Sequence, residues 1–161
     1  VDVGYGQLVW RLRSDERVGV HDKTNVRSLA PQDIGGEVDL VVSDLSFISL
    51  TLVLSALARC TRLGGDLLPM VKPQFEVGRE RVGQGGVVRD PALRIEAVTE
   101  VARTAATLGL ETRGCVASPL PGPSGNVEYF LHLRRVGETE PVELTDVAVD
   151  AIRTAVEEGP R

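Results

Sequence analysis

LETRGCVASPLPGPSGNVEYFLHLRR, residues 110–135, decides the fold. Residues 110–120 read as a strand, 121–125 as a Pro/Gly turn cluster and 126–135 as a second strand. In the second strand Val127, Tyr129, Leu131 and Leu133 fall on one face, and Glu128, Phe130 and His132 on the other. Parallel neighbours need a crossover of about a dozen residues or more. The PGPSG turn is too short for that, so this pair is expected to be antiparallel.

Working upstream, DPALRIEAVTEVARTAATLG (90–109) predicts a helix, with Asp90 as cap, Pro91 at the first helical position and Gly109 as its end. DLLPMVKPQF (66–75) reads as a strand, although Pro69 is unusual in a regular central strand. EVGRERVGQGGVV (76–88) is a Gly/Arg loop, expected to act as a hinge or lid. Residues 49–62 predict a helix capped by Ser49 and stopped by Gly64-Gly65. VDLVVSDLSF (38–47) is a continuous apolar strand ending in Ser43-Asp44, a pattern that suits burial on both faces of a parallel sheet. Before it come a strand tail (1–3), a short helix (4–15), a strand (17–22) and a loop (28–37). After residue 135 a linker (137–141) leads to an amphipathic helix (144–158) closed by Gly159-Pro160. Strands alternating with helices predict an α/β fold with helices on both faces of the sheet. A mostly parallel sheet ending in an antiparallel hairpin resembles the plan of the Rossmann-like methyltransferases.

The bulk numbers narrow the function. A chain of 161 residues suits a domain with a sizeable core. No apolar run approaches the roughly 20 residues that span a bilayer, and no secretion leader is readable. Cys60 and Cys115 are too few for a disulfide framework or a zinc site, so two buried thiols in the cytoplasm are expected. The net charge of −5 argues against broad coating of nucleic acid, though a local basic patch remains compatible with it. The chain opens at Val1 in what reads as the end of a strand, and the expectation is a fragment whose upstream elements lie elsewhere.

In open α/β sheets, ligands bind beyond the carboxyl ends of the strands. Asp2, Asp22, Asn25, Asp44 and Lys72 follow or end successive predicted strands. Glu128 lies near the start of the final strand, which an antiparallel course brings to the same rim. Lys72 stands out: the chain has two lysines against sixteen arginines, and this one closes an apolar run directly before Pro73. Lysine is seldom fully buried without a partner. A Lys72–Asp44 ion pair of purely structural meaning is the plain alternative. For Asp2 it is a surface turn, and for Glu128 an exposed sheet face. Asp22 and Asn25 are ordinary loop residue types. There is no Gly-x-Ser-x-Gly elbow and no P-loop, Gly83, Gly85 and Gly86 lack the spacing of a dinucleotide loop, and His21 and His132 stand isolated.

The strings VDVGYGQL, TNVR, VSDLSFISL, MVKPQFE, GGVVRDP and PSGNVEYF together closely resemble the TlyA family. These hemolysin-named proteins belong to the FtsJ-like ribose 2′-O-methyltransferases acting on ribosomal RNA. The resemblance covers residues 1–135 and leaves 136–161 as a linker and helical tail. It implies S-adenosyl-L-methionine as cofactor, cytidine 2′-O-methylation of 16S/23S rRNA as activity, and ribosomal RNA or ribosomal subunits as partners. Asp44, Lys72 and Glu128 match three members of the family's Lys-Asp-Lys-Glu set. Asp2 matches the acidic residue at the cofactor ribose, and Asn25 a position near the adenosine, with Asp44 also on the cofactor side. The family's first catalytic lysine, its Gly-rich cofactor loop and its S4-type RNA-binding domain lie upstream of Val1. The resemblance therefore implies weak cofactor binding and little turnover by these 161 residues alone.

A ribose 2′-hydroxyl is a weak nucleophile and needs a base as it attacks. A free lysine, with a pKa of about 10.4, is protonated at neutral pH. Burial or a nearby cation brings an amine toward the working range, while a neighbouring carboxylate acts in the opposite sense. Lys72 is the candidate base, Asp44 its orienting partner and the group facing the sulfonium, and Glu128 the holder of the ribose or of Lys72. Arg79, Arg81 and Arg89 flank the Gly loop and are candidates for phosphate contacts, which position RNA without reading its sequence. A solvated charged loop is their bland alternative. Two rival functions are a non-catalytic RNA-binding or ribosome-assembly module and a membrane-lytic hemolysin. The tail helix, with Asp146, Asp150, Glu157 and Glu158 against Arg153, has the wrong charge for anionic lipid, and no membrane partner is expected.

Overall fold

The computed structural model describes residues 1–122, 124–138 and 140–160. Pro123 of the expected turn and Thr139 of the expected linker lie outside them, as does Arg161. Four strands form one sheet: β1 (Val38–Ser43), β2 (Thr61–Val71), β3 (Leu110–Ala117) and β4 (Tyr129–Arg135), in the order β1-β2-β4-β3. β1 and β2 are parallel, and β4 runs antiparallel to both β2 and β3. The expected hairpin is present. The last strand also slots between β2 and β3, so these two strands point the same way without touching.

The alternation in β4 explains its place. Tyr129, Leu131 and Leu133 are fully buried in the core, while Phe130 and His132 on the opposite face are half-buried. Five helices accompany the sheet: α1 (Trp10–Arg13), α2 (Leu54–Cys60), α3 (Pro73–Glu76), α4 (Pro91–Ala106) and α5 (Asp146–Glu157). α4 follows its sequence signals closely. The Asp90 side chain accepts from Ala92 N at 2.9 Å and Pro91 occupies the first turn. Its buried Val98, Val101, Ala102 and Ala105 pack with Leu54 and Leu57 of α2 and with Leu67, Leu131 and Leu133 of the sheet. α5 is capped by Thr145 and adds Ile152 and Val156 to the same core, lying against β3 and α4.

Several expectations change. The segment 49–62 is a 3-10 turn (Leu50–Leu52) followed by α2, which ends at Cys60. Thr61 is already extended, and its hydroxyl donates to Leu57 O at 2.9 Å, closing the helix. Gly64 and Gly65 lie inside β2, where the register to β1 shifts. A Cβ on Gly65 would lie 2.9 Å from Asp39 O, so only glycine permits that approach. β2 ends at Val71, because Pro73 opens α3 and holds Lys72 extended before it. Pro69 does sit in this central strand. The ladder to β4 passes from Leu67↔Leu133 to Met70↔Phe130 and skips it, where its ring nitrogen has no N–H to give.

β1 is an edge strand among the described residues, and Val42 is 65% exposed, so it is not covered on both faces. Residues 1–3 and 17–22 form no ladder; they lie alongside each other through Asp2 N→His21 O at 3.0 Å. The helix in 4–15 is the single turn α1.

Candidate active site

Beyond the ends of β1 and β2 the chain places Asp44 and Lys72 in contact. The Lys72 Nζ lies 2.6 Å from Asp44 Oδ1 and donates to Ser46 Oγ at 3.1 Å. Glu128 Oε1, from the segment leading into β4, stands 3.9 Å from the same nitrogen. The antiparallel course of β4 makes this meeting possible, since it brings the start of β4 to the rim where β1 and β2 end.

The three groups differ in burial. Side-chain exposure is 9% for Lys72 and 7% for Glu128, but 67% for Asp44. Glu128, for which an open sheet face was the plain alternative, is enclosed. Gln74 Nε2 donates to its Oε1 at 3.3 Å, and a Cβ on Gly122 would come 2.8 Å from that oxygen. Asp44 is the wet end of the cluster. The buried amine thus has one carboxylate beside it in the interior and another toward solvent.

A cavity of about 860 Å³ borders the cluster, lined by Asp2, Asn25, Ser43 and Asp44 among others. Asp2 Oδ1 accepts from Gly4 N at 2.6 Å, and Asn25 Oδ1 accepts from Arg27 N at 3.0 Å. That leaves the second Asp2 oxygen and the Asn25 amide nitrogen for other partners. Asp22 is not brought to the cavity. It is spent on Arg13 at 2.7 Å and Gly6 N at 3.2 Å, and the Arg13 hydrogen bond holds its carboxyl below the usual range.

A second cavity of about 570 Å³ is lined by Phe47, Gln74, Phe75, Arg79, Gly78, Gly83 and Gly86 among others. Phe47 and Phe75 meet across it with ring centroids 5.4 Å apart. The three loop arginines separate here. Arg79 lines the cavity and has no side-chain partner among the described residues. Arg81 donates to Val77 O at 2.8 Å and pairs with Glu96 at 2.7 Å, and Arg89 donates to Gln84 O at 3.2 Å. Asn126 staples this loop to the β4 side, accepting from Val88 N at 2.9 Å and donating to Gly86 O at 2.8 Å. Sequence reasoning missed Ser46, Gln74 and the Phe47–Phe75 pair. Ser46 and Gln74 each stand two positions beyond a residue that was singled out, Ser46 in a loop and Gln74 in α3 just after a strand end, and that position was the available signal.

A sheet of this order, with charged side chains gathered where its parallel strands end, is an α/β Rossmann-like methyltransferase fold. The FtsJ-like methyltransferase family matches residues 1–135, and the chain belongs to that family. It is 57% identical over 159 residues to the 16S/23S rRNA (cytidine-2′-O)-methyltransferase TlyA of Mycobacterium tuberculosis, covering 99% of this chain and 59% of that protein. It is 42% identical to YqxC of Bacillus subtilis, covering 98% of this chain and 56% of that protein. The crystal structure of a hemolysin-named protein from Lactococcus lactis superposes with a TM-score of 0.85 at 37% identity, over 98% of this chain and 73% of that one. The chain thus spans less than two thirds of the length of these two curated relatives.

Proposed function

We propose that this chain is the catalytic part of an S-adenosylmethionine-dependent ribosomal RNA methyltransferase that modifies a cytidine ribose 2′-hydroxyl. The observation that carries the reading is the convergence of Lys72, Asp44 and Glu128 at one rim, with Lys72 and Glu128 enclosed. The name of the M. tuberculosis relative supports the choice of substrate.

The residues present fit the adenosine side of the cofactor. Asp2 offers a free carboxylate oxygen for a ribose diol, Asn25 an amide for the base, and Asp44 a negative charge for a cationic sulfur, all on one cavity. When bound, S-adenosylmethionine supplies an electrophilic methyl group. The protein's own task is to prepare the hydroxyl. Lys72, in its neutral form, accepts the hydroxyl proton on Nζ as the oxygen attacks. Asp44 and Ser46 fix the direction of that nitrogen. Glu128, held by Gln74, accepts from the ribose or steadies the protonated amine. The exposed Asp44 then offers the proton a route to water. Displacement at a methyl carbon needs the attacking oxygen in line with the bond that breaks, so alignment supplies much of the rate. Arg79, unpaired beside the second cavity, is the strongest candidate for an RNA phosphate contact. The cytoplasm is the compartment where ribosomal RNA would be met.

No helix among the described residues is long and apolar enough to cross a membrane. The test is incubation of the whole protein with ribosomal subunits and methyl-labelled cofactor. Label at a ribose 2′-oxygen, read as a linkage resistant to alkaline cleavage, is expected. Label on a base, or none on RNA, would overturn the proposal.

A further inference from the structure

The β1–β2 ladder stops at Ser43↔Pro69. Beyond it the two segments that carry the cluster, 44–50 and 72–76 with α3, share no backbone–backbone hydrogen bond among the described residues. What joins them is side chains. Two links, to Asp44 and Ser46, are made by Lys72 itself, and a third is the Phe47–Phe75 ring contact on the cavity wall. The fourth is Glu76. Its Oε2 accepts from Ser49 Oγ at 2.5 Å, and its Oε1 accepts from Leu50 N at 2.9 Å. Both oxygens are thus used on the opposite loop, at the start of the turn that leads into α2.

From this we infer that Glu76 is a positioning residue: it clamps the Lys72 loop to the Asp44 loop and sets the distance between the amine and its carboxylate. The inference rests on the methyl-transfer reading only for its consequence in catalysis. The clamp has a reason to exist. During a reaction Lys72 must exchange partners, from Asp44 to a substrate hydroxyl and back. A geometry held only by bonds that Lys72 makes would loosen at that moment. The Glu76 bonds do not involve Lys72 and persist through the exchange. Burial raises the Glu76 carboxyl above its ordinary range against the pull of Ser49 and Leu50. A carboxylate is an unfavourable choice for such a position unless its two directed acceptors are needed. An apolar residue would fill the space and leave the Leu50 N–H without this partner.

The experiment compares Glu76→Ala and Glu76→Gln with the unaltered protein. Glutamine keeps an acceptor for Leu50 N and a polar atom for Ser49. Methyl transfer to ribosomal subunits is read at the full length of the relatives. In Glu76→Ala, kcat is expected to fall about 10- to 100-fold, as for misplacement of a reacting group by about 1 Å. KM and cofactor affinity should stay within roughly threefold on the same ground, since no binding contact is removed. Glu76→Gln should recover most of kcat.

A second readout needs no activity. This chain has two lysines, so lysine-labelled NMR gives two side-chain signals, with Lys23 over the Tyr5 ring as internal reference. The Lys72 signal should move in Glu76→Ala while that of Lys23 stays. If Glu76→Ala does not fold, Ser49→Ala removes one of the two bonds and should displace the Lys72 signal to a smaller degree. An unmoved Lys72 signal in a folded variant, an unchanged kcat in Glu76→Ala, or a glutamine variant as impaired as alanine would each overturn the clamp. Absence of transfer by the unaltered protein would instead strike the proposed function, and the lysine signal would still decide the clamp.

Discussion

Replacing Lys72 with methionine should cost stability, and most of the cost should vanish when Glu128 is neutralised as well. Lys72→Met keeps the chain length and removes the amine. Glu128, 7% exposed at its side chain, then keeps only the Gln74 amide at 3.3 Å among its described side-chain partners. Stranding a buried charge in this way costs about 3–5 kcal/mol when nothing relieves it. Donation from Gln74 gives part of that relief, so about 2–3 kcal/mol is expected here. Asp44 contributes little, because at 67% exposure it returns to water, and such a pairing is worth at most about 1 kcal/mol. Glu128→Gln alone leaves Lys72 with Asp44 and Ser46 and should cost about 1 kcal/mol. The double variant buries neither charge and should also lose about 1 kcal/mol, which makes the coupling about 2–3 kcal/mol. Urea unfolding at neutral pH, followed by circular dichroism, measures all four corners of the cycle. Additivity within about 0.5 kcal/mol would refute the reasoning, because two groups that do not share a site add in that way.

Three further outcomes are expected. Ile152→Ala, fully buried in α5, should lower unfolding free energy by about 2–5 kcal/mol. Val147→Ala on the same helix, 80% exposed, should change it by less than about 0.5 kcal/mol in the same urea titration. Burial raises the Glu76 carboxyl, so its contribution to stability is present at acid pH and is lost as pH rises from the ordinary glutamate range through the raised value. The stability of the protein relative to Glu76→Gln should therefore decline as pH rises above the ordinary glutamate range; a difference that is constant or grows toward neutrality would contradict this. Arg79→Ala should weaken RNA binding and lower the salt slope by about one unit, whereas Arg81→Ala, already paired with Glu96, should do less; equal effects in filter binding across salt concentrations would count against the distinction.

Much of the fold is legible in the sequence because local signals and tertiary demands agree there. The alternation over 129–133 survives as the buried and half-buried faces of β4, and Asp90-Pro91 starts α4 where its cap chemistry requires. The failures have physical causes. The apolar run 38–43 cannot reveal that β1 is an edge strand, since edge position depends on which strands pair with it. Gly64-Gly65 reads as a helix stop, yet glycine serves equally in a bulge where two backbones approach. The extended segments 1–3 and 17–22 lack a ladder, and short strand patterns carry no information about partners. In the site, the meeting of Asp44 with Lys72 follows from two parallel strands ending at one rim. The burial of Glu128 does not, because it depends on Gln74 and Gly122 closing over it. Ser46, Gln74 and Glu76 act across loops separated in sequence by more than twenty residues, and no spacing rule reaches that far.

The central claim is that Lys72 takes the proton from the substrate hydroxyl, and Lys72→Ala in the whole protein tests it most directly. Transfer of labelled methyl to ribosomal subunits should fall at least about 10³-fold, as expected for losing a group that acts in the transition state. Cofactor affinity by calorimetry should stay within about threefold, since Asp2, Asn25 and Asp44 remain on their cavity. Turnover within about tenfold of the unaltered protein, with cofactor still bound, would contradict the assignment of Lys72 as the base.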